Sequence, residues 1–309
     1  MSCFPRLVIP NGTAYFDKVF GTLESSRKGH NRPITALAFL HDRLVVSGDR
    51  RGWVAVWDGF GCRWRRRFSR RGITALASGH GGVLWIGSFD RRVWFRYANE
   101  LPVSVPVRIR RGVSSLVPLS AGMRVAVTSF AGELAVASDE EEVLREPRTT
   151  ARGMVRARRA TDPQYLLVWG LRGEVELRTA GSLEVVSTLN LDTLLVRDVM
   201  PLDGGMVAVL DYQHRVTVWL VDGWIPLGSG VLGLEGALGI LGRIGSRLLL
   251  WSHHGILSWD LQDRGPADSW PHPGLSSAAL DAAHGRLSLG FRDGTVQVWD
   301  LTESWITKN

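Results

Sequence analysis

The chain holds almost no cysteine. Cys3 and Cys62 are the two in 309 residues, so at most one bridge could form, and no Cys-x-x-Cys spacing is present to hold a metal. This usage fits a reducing, intracellular compartment, and a cytoplasmic location is expected. Lysine is nearly missing too, with Lys18, Lys28 and Lys308 the only three. Met1–Pro10 contains no apolar core of signal-peptide length, so Asn11-Gly12-Thr13 reads as an unmodified turn despite its sequon form. Long apolar runs are also lacking. Residues 223–242 carry a single charge, Glu235, but they include seven glycines and Pro226. A membrane span would be richer in Leu, Ile and Phe, and no membrane insertion is expected.

Catalytic signatures are equally scarce. There is no Gly-x-Ser-x-Gly elbow, no His-Glu-x-x-His and no Gly-Lys pair to anchor a phosphate loop. One Gly-x-Gly-x-x-Gly runs from Gly228 to Gly233. Gly236 and Gly239 interrupt the helix that a dinucleotide site would need after it, so it reads as a tight connection between strands. His214, His253 and His254 lack the recurring carboxylates that would complete a ligand set, and they read as hydrophilic turn residues. Neither a metal nor another cofactor is expected. No long segment carries an apolar period of 3.6 residues free of glycine, which excludes a helical domain.

What is present is a folded composition, 45% apolar and 22% charged, on a chain long enough to bury a large core without staples. The net charge of +7 is unevenly spread. Residues 1–160 hold 27 Lys and Arg against 13 Asp and Glu, whereas residues 161–309 hold 10 against 17.

The chain repeats. Similar turn-and-strand segments recur around Gly52, Arg91, Gly132, Gly173, His214, Gly255 and Gly294, separated by 39, 41, 41, 41, 41 and 39 residues. Each turn supplies a residue suited to positive φ and is followed by β-branched and aromatic residues at period two. A second apolar run precedes each turn, as in Leu44–Ser47, Val83–Ile86 and Leu287–Gly290. A third lies further upstream, as in Ile34–Phe39 and Ile73–Leu76. The pattern predicts an all-β chain with about four strands in every forty residues. Gly29-His30, Trp57-Asp58, Asp293-Gly294 and Trp299-Asp300 complete a likeness covering nearly the whole chain. The sequence resembles the WD-repeat seven-bladed β-propeller family.

The resemblance implies a single propeller domain over residues 1–309, with four antiparallel strands per blade. It implies that an N-terminal strand, taken from Arg6–Gly21, closes the ring as the outer strand of blade seven. A structural hydrogen-bond set of His272, Ser288, Asp293 and Trp299 is also implied, as is a structural part for His30. The thirteen tryptophans read as packing between blades. Asp139-Glu-Glu-Glu142 reads as a solvated turn.

Arginine carries the functional signal. Arg63-Trp-Arg-Arg-Arg-Phe-Ser-Arg-Arg71 maps to the outer strand of blade one. Alternation would set Arg63, Arg65 and Arg67 on one side of that strand and Trp64, Arg66 and Phe68 on the other. The stripe suits either protection of an exposed edge or docking of an anion. A second pattern is positional. Arg32, Arg71, Arg111 and Arg152 each precede the innermost strand of a blade at spacings of 39, 40 and 41, and the register continues through Leu194, Glu235 and Pro273. Arg50, Arg51, Arg91, Arg92 and Arg172 fall in the other turns of the same face. This top face is expected to grip an acidic segment of a partner protein, which makes the chain a non-catalytic scaffold or adaptor subunit of a larger complex. RNA, with arginines meeting phosphates, is the alternative partner. A propeller enzyme would need carboxylates or metal ligands around the mouth, which this register does not supply.

Overall fold

The computed structural model of the protein describes residues 21–40, 44–58, 61–96, 103–105, 107, 109–119, 124–138, 144–146, 154–191, 195–232 and 237–301. They form seven four-stranded antiparallel sheets, the blades of a ring. From channel to rim, blade one comprises Ile34–Phe39, Val45–Asp49, Trp53–Asp58 and Gly61–Arg67. Blades two to six repeat this order, their innermost strands being Ile73–Ser78, Val113–Pro118, Val155–Arg159, Val196–Leu202 and Ala237–Ile244. Blade seven comprises Leu275–Asp281, Arg286–Phe291 and Thr295–Leu301, with Gly21–Lys28 as its outer strand. Among the described residues the helices are two three-residue turns, His80–Gly82 and Asp222–Trp224, and no helix is long and apolar enough to cross a membrane.

All seven turn residues legible as the repeat have positive φ: Gly52, Arg91, Gly132, Gly173, His214, Gly255 and Gly294. In several blades the last residue of the second strand holds the turn. Asp49 Oδ1 accepts from the backbone N–H of Arg51 at 2.8 Å and of Trp53 at 3.0 Å. Asp211 Oδ1 does the same for Gln213 and Arg215, and Ser129 Oγ for Ala131 and Glu133. Such side-chain acceptors pin a tight turn without spending a ladder hydrogen bond.

The core lies between blades. The first residue of every innermost strand is buried: Ile34, Ile73, Val113, Val155, Val196, Ala237 and Leu275 are each 0 or 1% exposed. Ile73 reaches back onto the preceding blade at Gly48, where an added Cβ would stand 2.5 Å from its Cγ2. The residue that follows is thrown out of register by a β-bulge in six of the seven blades. A bulge leaves one residue unpaired and re-aims its side chain, and here several of these side chains cross to the next blade. Thr35 Oγ1 donates to Ile73 O at 2.5 Å, Ser114 Oγ to Val155 O and Arg197 Nη1 to Ala237 O. Ser276 Oγ donates to Ile34 O at 2.8 Å, which joins blade seven to blade one.

The closing strand corrects the expectation. Gly21–Lys28, rather than Arg6–Gly21, pairs with Thr295–Leu301, from Gly21 opposite Leu301 to Lys28 opposite Thr295. Residues 1–20 lie outside the described residues. An outer strand exposes both faces, so it lacks the apolar signature by which Arg6–Gly21 was favoured. Arg286 ties the closing strand in, donating to Glu24 at 2.5 Å and lying 3.5 Å from Asp300.

The four-residue hydrogen-bond set is likewise displaced. It forms in blade one, on His30, Ser47, Asp49 and Trp57. The His30 ring bonds Asp49 Oδ2 through Nδ1 at 2.9 Å and Ser47 Oγ through Nε2 at 2.7 Å, and Trp57 Nε1 donates to Ser47 Oγ at 2.7 Å. Burial desolvates Asp49 and opposes its charge. The hydrogen bonds from His30 and from the backbone of Trp53 and Arg51 outweigh that and hold its carboxyl below the usual carboxylate range. Blade seven has Phe291 where blade one has Asp49. Asp293 instead bonds its own turn at Thr295, and Trp299 Nε1 donates to Gln297. Ser288 Oγ and His272 Nε2 are buried without a hydrogen-bond partner among the described residues. The His272 ring packs against Trp270, Trp299 and Phe291, and burial pushes its pKa down to about 4.

The glycine-rich motif is strand rather than connection. Gly228 and Gly230 lie in Ile225–Val231, the outer strand of blade five, with Arg264 against them. Asp139–Glu142 and Gly233 lie outside the described residues.

Candidate functional site

Antiparallel pairing places two kinds of turn on one face. The start of each innermost strand lies beside the end of the second strand, so Arg32, Arg71 and Arg111 share the top face with Arg50, Arg51, Arg91, Arg92 and Arg172. Arg152, Leu194 and Glu235 lie outside the described residues, and Pro273 is exposed on the same face.

The residue after each second strand marks a ring at the mouth: Arg50, Phe89, Phe130, Leu171, Tyr212, His253 and Arg292. The backbone N–H of six of them is tied to the start of the same blade. Arg50 donates to Pro33 O at 3.1 Å, Phe89 to Gly72 O at 2.9 Å, Phe130 to Gly112 O at 3.0 Å and Arg292 to Gly274 O at 3.0 Å. Leu171 and Tyr212 donate to Met154 and Leu195 in the same way. The backbone under these side chains is fixed, which lowers the cost of ordering them around a ligand.

Among the described residues two depressions open here. One of about 850 Å³ at the channel mouth spans blades seven, one and two. Arg50, Arg70, Arg71 and Arg292 line it with the polar Thr35, Thr74 and Ser276, and no carboxylate is among its lining residues. The other, of about 450 Å³, lies between blades two and three and is lined by Arg71, Arg91, Arg110 and Arg111, with Asp90. Arg71 and Phe89 form the saddle between them, the guanidinium 5.9 Å from the ring, and Phe89 meets Phe130 at a tilt, with centroids 5.6 Å apart.

The nearby carboxylates serve the turns. Asp90 accepts from Ser69 Oγ at 2.7 Å and also bonds Ser88. Glu133 accepts from Arg110 N and from Ser129 Oγ. Asp49 belongs to the buried His30 set. By contrast, Arg32, Arg50, Arg51, Arg70, Arg71, Arg91, Arg92, Arg111, Arg172 and Arg292 make no ion pair with the described residues. Crowded like charges repel one another, and an anion laid across them relieves that repulsion.

The structure thus brings Arg50 and Arg71 together at the mouth and Arg71, Arg91 and Arg111 in the adjoining depression. Arg32 is exposed on the same face but lines neither. Arg70 and Arg292 were missed by sequence reasoning. Arg292 had a legible signal, since it holds the same turn position as Arg50. His253 turns inward, its Nδ1 bonded to Leu275 O at 2.8 Å. No group of three His, Cys, Asp or Glu that could hold a metal is found among the described residues.

These sheets define a seven-bladed β-propeller, a fold that commonly serves as an interaction scaffold. The sequence matches no known family model, and no curated protein matches it significantly.

Proposed function

We propose that the chain is a non-catalytic interaction platform whose top face grips an acidic segment of a partner protein, as an adaptor within a larger complex. One observation carries this reading: the 850 Å³ depression gathers four arginines and no carboxylate. Guanidinium forks suit carboxylates and keep their charge at every physiological pH. Fold alone would not supply the inference, since propellers carry many functions. We also read the whole chain, residues 1–309, as one domain of the WD-repeat kind, working in the cytoplasm. The complete His30–Ser47–Asp49–Trp57 set supports the WD-repeat reading.

The test is the affinity of a fluorescein-labelled glutamate-rich peptide. Replacing Arg50, Arg71, Arg111 and Arg292 together by glutamine should weaken it at least tenfold. Desolvated charge pairs cost ~2–5 kcal/mol on truncation and exposed ones under ~1 kcal/mol. Unchanged affinity in that variant would overturn the reading.

A further inference from the structure

The part of the arginine run that lies on the outer strand of blade one, residues 63–67, is not used by the top-face reading. We propose that the outer strand Gly61–Arg67 is a docking surface for a single-stranded nucleic acid, separate from the top-face site.

Among the described residues this strand pairs only with Trp53–Asp58, and its other edge carries no strand. A bulge opposite Val56 and Trp57 displaces Arg63 from the alternation expected of it. Arg63 turns instead to Asp58, with Nε 2.6 Å from Oδ2, and it remains 60% exposed. Past the bulge the alternation is regular. Arg67 pairs opposite Trp53, so Arg65 and Arg67 share that face. The Arg65 guanidinium lies over the Trp53 ring at 4.6 Å, and Arg67 Nε donates to Ser69 O at 3.0 Å and Arg51 O at 3.2 Å. Trp64 and Arg66 occupy the other face. Trp64 meets Phe68 edge-on at 5.6 Å, Phe68 meets Trp94 of blade two at 5.7 Å, and Arg96 lies over Trp64 at 4.1 Å. Burial, and after it the charge of Arg66, lowers the pKa of Arg96.

Both faces of one exposed strand therefore carry guanidinium groups, and on each face one sits over an indole, Arg65 over Trp53 and, from blade two, Arg96 over Trp64. Arg65, Arg66 and Arg67 make no ion pair with the described residues. Arg65, exposed and backed by the Trp53 ring, offers its other face to stacking and its N–H groups to phosphate. Bases on planar cations and phosphates on forked donors are how single strands are bound without sequence preference. An acidic peptide could use the charge of the stripe, but its carboxylates and amides have no aromatic face comparable to a base to lay on the ring-backed guanidinium. Protection of the edge alone would need charge and no aromatic backing.

The experiment is fluorescence anisotropy of a labelled 20-nucleotide poly(U) with the full chain. Replacing Arg65, Arg66 and Arg67 together by glutamine should weaken binding at least tenfold. It should also make the log–log salt slope shallower by about 2, at ~0.7 for each lost phosphate contact. Lysine at the same positions should restore the salt slope but only part of the affinity. The single exposed change Arg66→Glu, which leaves Arg65 and Arg67 in place, should weaken binding at least threefold. Binding of poly(U) by the triple glutamine variant within twofold of the parent overturns the proposal. So does an equal loss of poly(U) and of the glutamate-rich peptide in that variant, which would make the rim an acidic-peptide surface. Loss of poly(U) in the top-face variant with retention in the rim variant moves the nucleic acid to the mouth and also overturns it. The glutamate-rich peptide reports the top-face reading separately, so either proposal can fail alone.

Discussion

At the residue scale, two serines in equivalent strands make a controlled comparison. Ser47 Oγ joins His30 to Trp57 within the buried set, so Ser47→Ala strands two buried polar groups at once. A loss of about 2–4 kcal/mol is expected, because each unpaired buried group costs ~1–3 kcal/mol. Ser288 Oγ has no partner among the described residues, and Ser288→Ala should cost less than about 1 kcal/mol. Urea unfolding of the two variants checks this, and equal losses would contradict it. The family resemblance points to blade seven for this set, on His272, Asp293-Gly294 and Trp299-Asp300. The carboxylate that reaches the histidine comes two residues earlier, where blade one has Asp49 and blade seven has Phe291. His272 is consequently a neutral aromatic in a Trp270–Trp299–Phe291 cluster. Its folded pKa is about 4 against 6.5 for the free side chain. Between those values the unfolded chain binds a proton that the folded chain refuses, so the unfolded state gains as pH falls. Stability due to this residue is intact above about pH 6.5 and declines toward pH 4, by about 3 kcal/mol at most. His272→Phe keeps the ring and removes the titration. The urea midpoint of that variant should fall less than the parent's between pH 7 and pH 4.5, and parallel declines would contradict the assignment.

At the element scale, regular features were legible and compensating ones were not. The 39–41 residue period, the positive-φ turns and the buried second strands follow from local chemistry, and the structure has all three. The closing strand was misplaced because Gly-Thr-Leu-Glu-Ser-Ser-Arg-Lys reads as loop. Its strand character comes from pairing with Thr295–Leu301, a partner some 270 residues away. The bulges at Thr35, Ser114, Arg197 and Ser276 were equally silent, since a bulge changes no residue type. Deleting Gly21–Lys28 should expose the edge of Thr295–Leu301 and remove the Glu24–Arg286 pair. The melting temperature should drop by several degrees with aggregation, at no more than about 2–4 °C per kcal/mol lost in a chain of this length. A monodisperse protein with an unchanged midpoint would mean that blade seven does not need this strand.

At the scale of the whole molecule, an uneven charge along the chain becomes an uneven charge around a ring. Residues 1–160 are net basic, and those of them that the structure describes run from the closing strand through blades one to three and into blade four, whereas residues 161–309 are net acidic. Sequence reasoning set Arg32, Arg71, Arg111 and Arg152 around the channel mouth. It did not group Arg292 with Arg50 and Arg71, because that grouping depends on blade seven meeting blade one. Ring closure brings positions 242 residues apart into contact, as Ser276 and Ile34 show. The central claim is that an acidic segment lies across this junction. It is tested most directly by photo-crosslinking a benzophenone-bearing glutamate-rich peptide to the full chain and mapping the adducts by mass spectrometry. The account predicts adducts in Pro33–Thr35, Arg50–Gly52, Arg70–Thr74 and Gly274–Ser276, removed by excess unlabelled peptide. Competed adducts confined to the rim of blade one, or to the opposite face of the ring, would contradict it.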